Sequence, residues 1–130
     1  MRATCPPAST GRIAAQLALA AGFDRLNSPS GDCTDFDDGI VSAVLDSASA
    51  FAQNVLSPLN ATMDAQGCRV VDGRVLATPG HREAWNGYVA AGWPGIEAPA
   101  DIGGSAMPLS LTFAAQALFD RACPAFGMLP

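Results

Sequence analysis

The chain is 130 residues long, 49% hydrophobic and only 15% charged, which excludes a disordered tail and leaves room for one small domain with a modest core. Seven Arg, no Lys and twelve acids give a formal charge of -5, and the Arg are scattered from Arg2 to Arg121. With no clustered basic face to neutralise phosphates, a nucleic-acid partner is excluded. Four cysteines, Cys5, Cys33, Cys68 and Cys123, form no C-x-x-C pair and share the chain with one distant His81. Neither a zinc spacing nor a redox pair is present, no metal site is expected, and the thiols are expected to be free.

The apolar run from Ile13 to Phe23 is too short to span a bilayer, which takes about 20 residues. Arg2 and Arg12 ahead of Ala18-Leu19-Ala20 imitate a secretory leader, but the run is Ala-rich and Cys5-Pro6-Pro7 suits a leader's start poorly. The expectation is a cytoplasmic protein without a membrane span, with export as the alternative. A helix is expected from about Gly11 to Gly22, followed by a linker of Ser, Gly, Pro and Asp from Asn27 to Thr34.

The clearest periodicity runs from Asp37 to Ser57, where Ile40, Val41, Val44, Leu45, Ala48, Phe51, Ala52, Val55 and Leu56 recur at spacings of three and four. Asp35, Asp37 and Asp38 put negative charge at its amino end, and Pro58 is expected to stop it. Val70-Val71-Asp72-Gly73-Arg74-Val75 reads as two extended runs around Asp-Gly, a hairpin-like connector. Thr78-Pro79 announces a helix with Thr78 as N-cap. Its stripe is Ala84, Trp85, Tyr88, Val89 and Trp93, and Gly92 is placed to close it. A last helix is expected from Pro108 to Ala122, ended by Pro124. The fold class is therefore all-α: a small helical bundle with a short hairpin-like connector.

Few residues carry chemistry on their own. His81, beside Arg82 and Glu83, is expected to face solvent. Asp64 and Asp101 stand near Gly67 and Gly103, where turn formation outweighs a paired-carboxylate site. Gly103-Gly104 lacks the Gly-x-Gly-x-x-Gly pattern of a phosphate cradle. Cys123 is expected to be inert, because the carboxyl end of a helix disfavours a thiolate. No catalytic, cofactor-binding or metal-ligating residue is assigned.

A succession of turn signatures narrows the reading: Ser57-Pro58-Leu59-Asn60, Met63-Asp64-Ala65-Gln66-Gly67, Asp72-Gly73-Arg74-Val75, Thr78-Pro79-Gly80, Ala91-Gly92-Trp93-Pro94-Gly95, and Ile102-Gly103-Gly104 through Met107-Pro108. In this order they resemble the amino-terminal helical domain of the acyl-CoA dehydrogenase family. The likeness is greatest to the branch carrying P-L-N, G-D-x-x-G, x-G-x-V-x-x-P, A-G-W and G-G-x-G-x-P before a helix. It covers roughly Asp35 to Pro130, which divides the chain into an extension over 1–34 and a helical domain over 35–130; Gly22 to Leu26 is compatible with that branch's extension.

The resemblance implies a larger subunit, with a β-rich middle domain holding much of the FAD and a carboxyl-terminal four-helix domain. It also implies a reaction in which a Glu base takes the α proton of an acyl-CoA thioester while the β hydride passes to the flavin. Neither the flavin-cradling strands nor the catalytic Glu falls within these 130 residues. The expectation is a fragment, inactive until the remaining domains or a complementary subunit join it, and a homo-oligomer when complete.

By the same resemblance Ala117, Phe126 and Met128 are the candidates for one wall of the acyl tunnel, with core packing as the competing reading. The chain has Met63 and Ala106 where the branch carries Gly, Ala117 where the branch usually shows Glu, and Cys123 where Asn is common in the branch. A non-catalytic helical interaction module, docking through an apolar face between Leu109 and Phe119, or a decayed remnant, is the alternative.

Overall fold

The computed structural model describes residues 9–21 and 38–128. The expected linker Asn27–Thr34, the acids Asp35 and Asp37, the extension Gly22–Leu26, the boundary between residues 34 and 35, and Cys5 and Cys33 lie outside the described residues.

The chain forms helices α1 (Thr10–Ala21), α2 (Asp38–Phe51), α3 (Ser57–Gln66), α4 (His81–Ala90), α5 (Leu109–Ala122) and the single turn α6 (Pro124–Gly127), with one antiparallel hairpin of β1 (Arg69–Val71) and β2 (Arg74–Leu76). The all-α bundle with a short hairpin is thus the observed class. No helix among the described residues is long and apolar enough to cross a membrane.

The periodic segment forms α2 as expected, and Val41, Leu45 and Ala48 carry its buried stripe against α5. Pro58 does not stop it. A π-helical turn, Ala52–Leu56, follows α2 directly, and the Ser57 N–H donates to the Ala52 carbonyl five residues back. In a regular helix a proline ring collides with the carbonyl four residues earlier; the wider π turn relieves that collision, so Pro58 sits in the first turn of α3 and the helical path continues to Gln66. Met63 is therefore helical and buried, and Asp64 lies on the exposed side of the same helix rather than in a turn. The positive-φ residue here is Gly67, at φ 59° and ψ -172°, whose N–H closes α3 on the Met63 carbonyl at 3.0 Å.

Asp72 and Gly73 form the hairpin loop with φ of 51° and 73°, the two positive values that a type I′ turn requires, and Val70 pairs with Val75. Thr78 does not cap α4. Its hydroxyl instead donates to the Gly67 carbonyl at 3.1 Å, pinning the end of α3 to the return from the hairpin, while Gly80 takes the N-cap position. Gly92 closes α4 at φ 80°, as its position in the sequence predicts. Val89, placed in the buried stripe by spacing, is 48% exposed, because the bundle covers only the Ala84–Tyr88 side of α4.

Rings hold the centre. Cys123 is extended, at φ -154° and ψ 90°, which folds α6 back along α5 and delivers Phe126 into the core. Phe126 there meets His81 and Tyr88 at centroid distances of 5.8 Å each, Trp85 at 6.3 Å and Phe51 at 6.5 Å. Phe119 sits edge-on to Trp93 at 5.1 Å, to Phe51 at 5.6 Å and to Tyr88 at 5.8 Å. Gln116 secures the fold-back, donating to the Gly127 carbonyl and to Asp120 Oδ1, and Gly127 has no room for a Cβ against the α5 backbone at Asp120.

Replacing Phe126 by Ala removes a fully buried ring with four ring neighbours and is expected to cost about 3–5 kcal/mol in urea unfolding. Met128→Ala, at an 86% exposed position, should stay within about 0.5 kcal/mol of the parent. Equal effects at the two positions would contradict the placement of α6.

Candidate functional site

From Trp93 to Met107 the chain makes a closed loop. Its main chain bonds to itself: Gly104 N–H to the Pro99 carbonyl at 3.0 Å, Ser105 N–H to Gly95 at 3.0 Å, and Ala106 and Met107 N–H to Ala98 and Ile96 at 2.9 Å each. A Cβ on Gly104 would overlap the Ala98 carbonyl, so only glycine fits. Gly103-Gly104 therefore serves the turn, and its amides are not free to cradle a phosphate. Ala106, at φ 48°, occupies the left-handed region at the position where the branch that the sequence resembles carries glycine, so this departure carries backbone strain. The departure at Met63 carries none, since that residue is helical.

The loop, α4 and α5 enclose a cleft of about 450 Å³. Its walls are Trp85 and Tyr88 from α4, Trp93, Pro94, Ile96 and Glu97 from the loop, and Leu109, Thr112, Phe113 and Gln116 from α5. Trp85 and Tyr88 are stacked at 5.6 Å. Glu97 is the one charged residue of the lining. Trp93 is buried and its Nε1 has no hydrogen-bond partner; the Ser110 hydroxyl on α5 is in the same condition. The size and aromatic lining are those of a binding cleft, but it presents no general base paired to a nucleophile.

The structure does not gather the three tunnel candidates. Ala117 is exposed on α5, Phe126 is wholly inside the ring cluster, and Met128 projects from the end of α6; none of the three lines the cleft. His81, expected to face solvent, is half-buried with its ring against Phe126, because α4 begins directly over α6. Asp101 is exposed in the turn Ala100–Ile102. Among the described residues no three His, Cys, Asp or Glu side chains are grouped to hold a metal.

Cys68 and Cys123 are both free thiols, the first exposed and the second buried. Burial raises the Cys123 pKa above its ordinary value, against smaller lowering by the Phe126 and Ala125 amides, and its Sγ lies 3.6 Å from Met63 Sδ. A buried, protonated thiol is a poor nucleophile. The cleft itself escaped sequence reasoning except for its α5 wall. Leu109 and Phe113, one turn apart, were the available signal, whereas the loop residues opposite them come into place only by tertiary closure.

No family model matches the chain. Over 88 residues, 68% of this chain, it is 31% identical to the 3-methylmercaptopropionyl-CoA dehydrogenase of Ruegeria pomeroyi. The matched stretch spans 15% of that protein's length. This distant, partial likeness to an acyl-CoA dehydrogenase supports the family to which the motif order points.

Two outcomes test the site's geometry. Ala106→Gly should stabilise the chain by about 1 kcal/mol in urea unfolding by releasing the left-handed strain, and a loss of stability would contradict the φ at that position. Tyr88 is the one tyrosine of the chain, and burial raises its pKa above the ordinary 10.0. The unfolded state then loses its phenolic proton first, so this group's contribution to stability falls as pH rises past about 10. Ultraviolet titration should give a native midpoint above that of the chain in urea; coincident midpoints would refute the burial.

Proposed function

We propose that residues 35–130 are an amino-terminal-type helical domain of an acyl-CoA dehydrogenase-like flavoprotein, with residues 1–34 an extension to it. The observation that carries this reading is the match to the Ruegeria dehydrogenase, joined to a motif order in which Gly67, Asp72-Gly73, Gly92 and Gly103 take positive φ, while Ser57–Asn60 and Met63–Gln66 are helical. The complete enzyme, on this reading, removes hydrogen from the α and β carbons of an acyl-CoA in the cytoplasm as a homo-oligomer. FAD would supply the hydride acceptor there.

The described residues do not fit FAD as its principal holders. The Gly103-Gly104 amides are turned to loop closure, and the cleft offers the pyrophosphate no cationic side chain. The flavin and the base are accordingly assigned to parts of the enzyme beyond these residues, supplied in cis or by another chain. For this domain the role is structural: the ring cluster fixes α4 and α5, and they present the cleft. Ala117 and Met128, both exposed, remain the candidates for touching the acyl chain, whereas Phe126 is buried in the ring cluster and serves the core.

A second reading, a non-catalytic interaction module, draws on the exposure of Leu109 and Phe113. Coding sequence for the middle and carboxyl-terminal domains, in frame or in an adjacent gene, favours the enzyme; its absence favours the module. The purified 130-residue chain is expected to be colourless and without acyl-CoA dehydrogenase turnover in the presence of an electron acceptor. Yellow protein carrying one flavin per chain would overturn the proposal.

A further inference from the structure

The hairpin turns its uncharged side outward. In its register Arg69 faces Leu76, Val70 faces Val75 and Val71 faces Arg74, so side-chain alternation puts Val70 and Val75 on one side and both arginines, with Val71 and Leu76, on the other. Val70 and Val75 are 72% and 71% exposed, whereas Val71 and Leu76 are each 46% exposed. The purely apolar cross-strand pair is therefore the side turned furthest from the body of the protein. Two strands of three residues are marginal by themselves, and a wider sheet is what stabilises such a pair.

The strand edge is complementary to itself. In a hairpin closed by a two-residue loop the flanking residues, here Val71 and Arg74, exchange backbone bonds with each other, and bonding alternates from there. The N–H and C=O of Val70 consequently point away from β2, where the two-stranded sheet ends. Two copies related by a twofold axis at Val70 satisfy these groups mutually, each Val70 N–H donating to the other copy's Val70 carbonyl. That register sets Arg69 opposite the second copy's Val71, so no like charges meet directly although each chain carries a formal charge of -5. Val70 and Val75 of both copies then form one apolar row across four strands. The β2 edge is less suited, because the outward alternation through Val75 runs past buried Thr78 to Pro79, which has no N–H to give.

We propose that β1 is a pairing edge for a second copy of this chain, through an antiparallel β1–β1 contact centred on Val70 that makes a continuous four-stranded sheet. Strands this short bury far less than the roughly 1,200 Å² of a stable interface, so the association is weak and reversible in the isolated chain. The inference does not depend on the enzyme reading.

Disulfide trapping of the 130-residue chain tests it, in a background with Cys5→Ser, Cys33→Ser and Cys68→Ser. The β1–β1 contact puts the two Val70 Cα atoms about 5.5 Å apart, within disulfide reach, and the two Val75 positions three strand spacings or about 14 Å apart, beyond it. Under mild oxidation Val70→Cys should therefore give about tenfold more linked dimer than Val75→Cys. Both positions are exposed, so both variants should keep the parent's urea midpoint. Linkage through Val75→Cys alone would assign the pairing to β2, and equal linkage at both positions would mean face-to-face stacking or random collision; either result overturns the proposal, as does no linkage at all. Without any cysteine exchange, sedimentation of the parent chain should show a monomer–dimer equilibrium at millimolar concentration, weakened about tenfold or more by Val70→Lys, which sets two ammonium groups opposite each other. A parent chain that stays monomeric there, or a Val70→Lys chain that associates equally well, also overturns it.

Discussion

Phe126 is the contact on which the arrangement depends. A four-residue helix has no stability of its own, yet this one places a fully buried ring among His81, Trp85, Tyr88 and Phe51. Burying such a side chain contributes about 1.5–3 kcal/mol, and each favourable ring pair adds about 0.5–1.5 kcal/mol. Through Phe126, α6 fixes α4 at both its first and its second turn. The two walls of the cleft are thereby held by one group that does not itself line it.

The other constraints follow from the same need to bring α4 onto α2 and α5. Between α2 and α4 the chain must pass α3 and the hairpin, and the two devices on that path are local. A π turn lets the helix run through Pro58, and the bond from Thr78 to the Gly67 carbonyl closes the excursion at its base. The hairpin is exposed on every residue and is therefore a tether rather than a core element. On the far side the Trp93–Met107 loop is tied by its own main chain, leaving side chains, not amides, to face the cleft.

Much of this was legible in the sequence. The stripe of α2, the Asp-Gly hairpin, the closing glycine at 92 and the bounds of α5 are local signals, and local physics settled them. What was not legible had tertiary causes. Pro58 reads as a stop because propensity knows nothing of a π turn, and Thr78 reads as a cap because its hydroxyl's distant acceptor, Gly67, is invisible to spacing. Met63 reads as a strained turn residue when aligned by motif, whereas it is helical and packed on Cys123. For the site, the α5 wall could be read from Leu109 and Phe113. The aromatic wall opposite depends on which side of α4 the Phe126 cluster pulls inward.

The central claim is that α6, through Phe126, completes one cooperative core with α2, α4 and α5 within these residues. Native-state amide hydrogen exchange tests it most directly. The account predicts that protected amides of α2, α4 and α5 and the Gly127 amide, bonded to the Cys123 carbonyl at 2.9 Å, exchange only through the same global opening, while the hairpin exchanges far faster. Exchange of Gly127 at the rate of the hairpin, with α2 and α5 still protected, would contradict it.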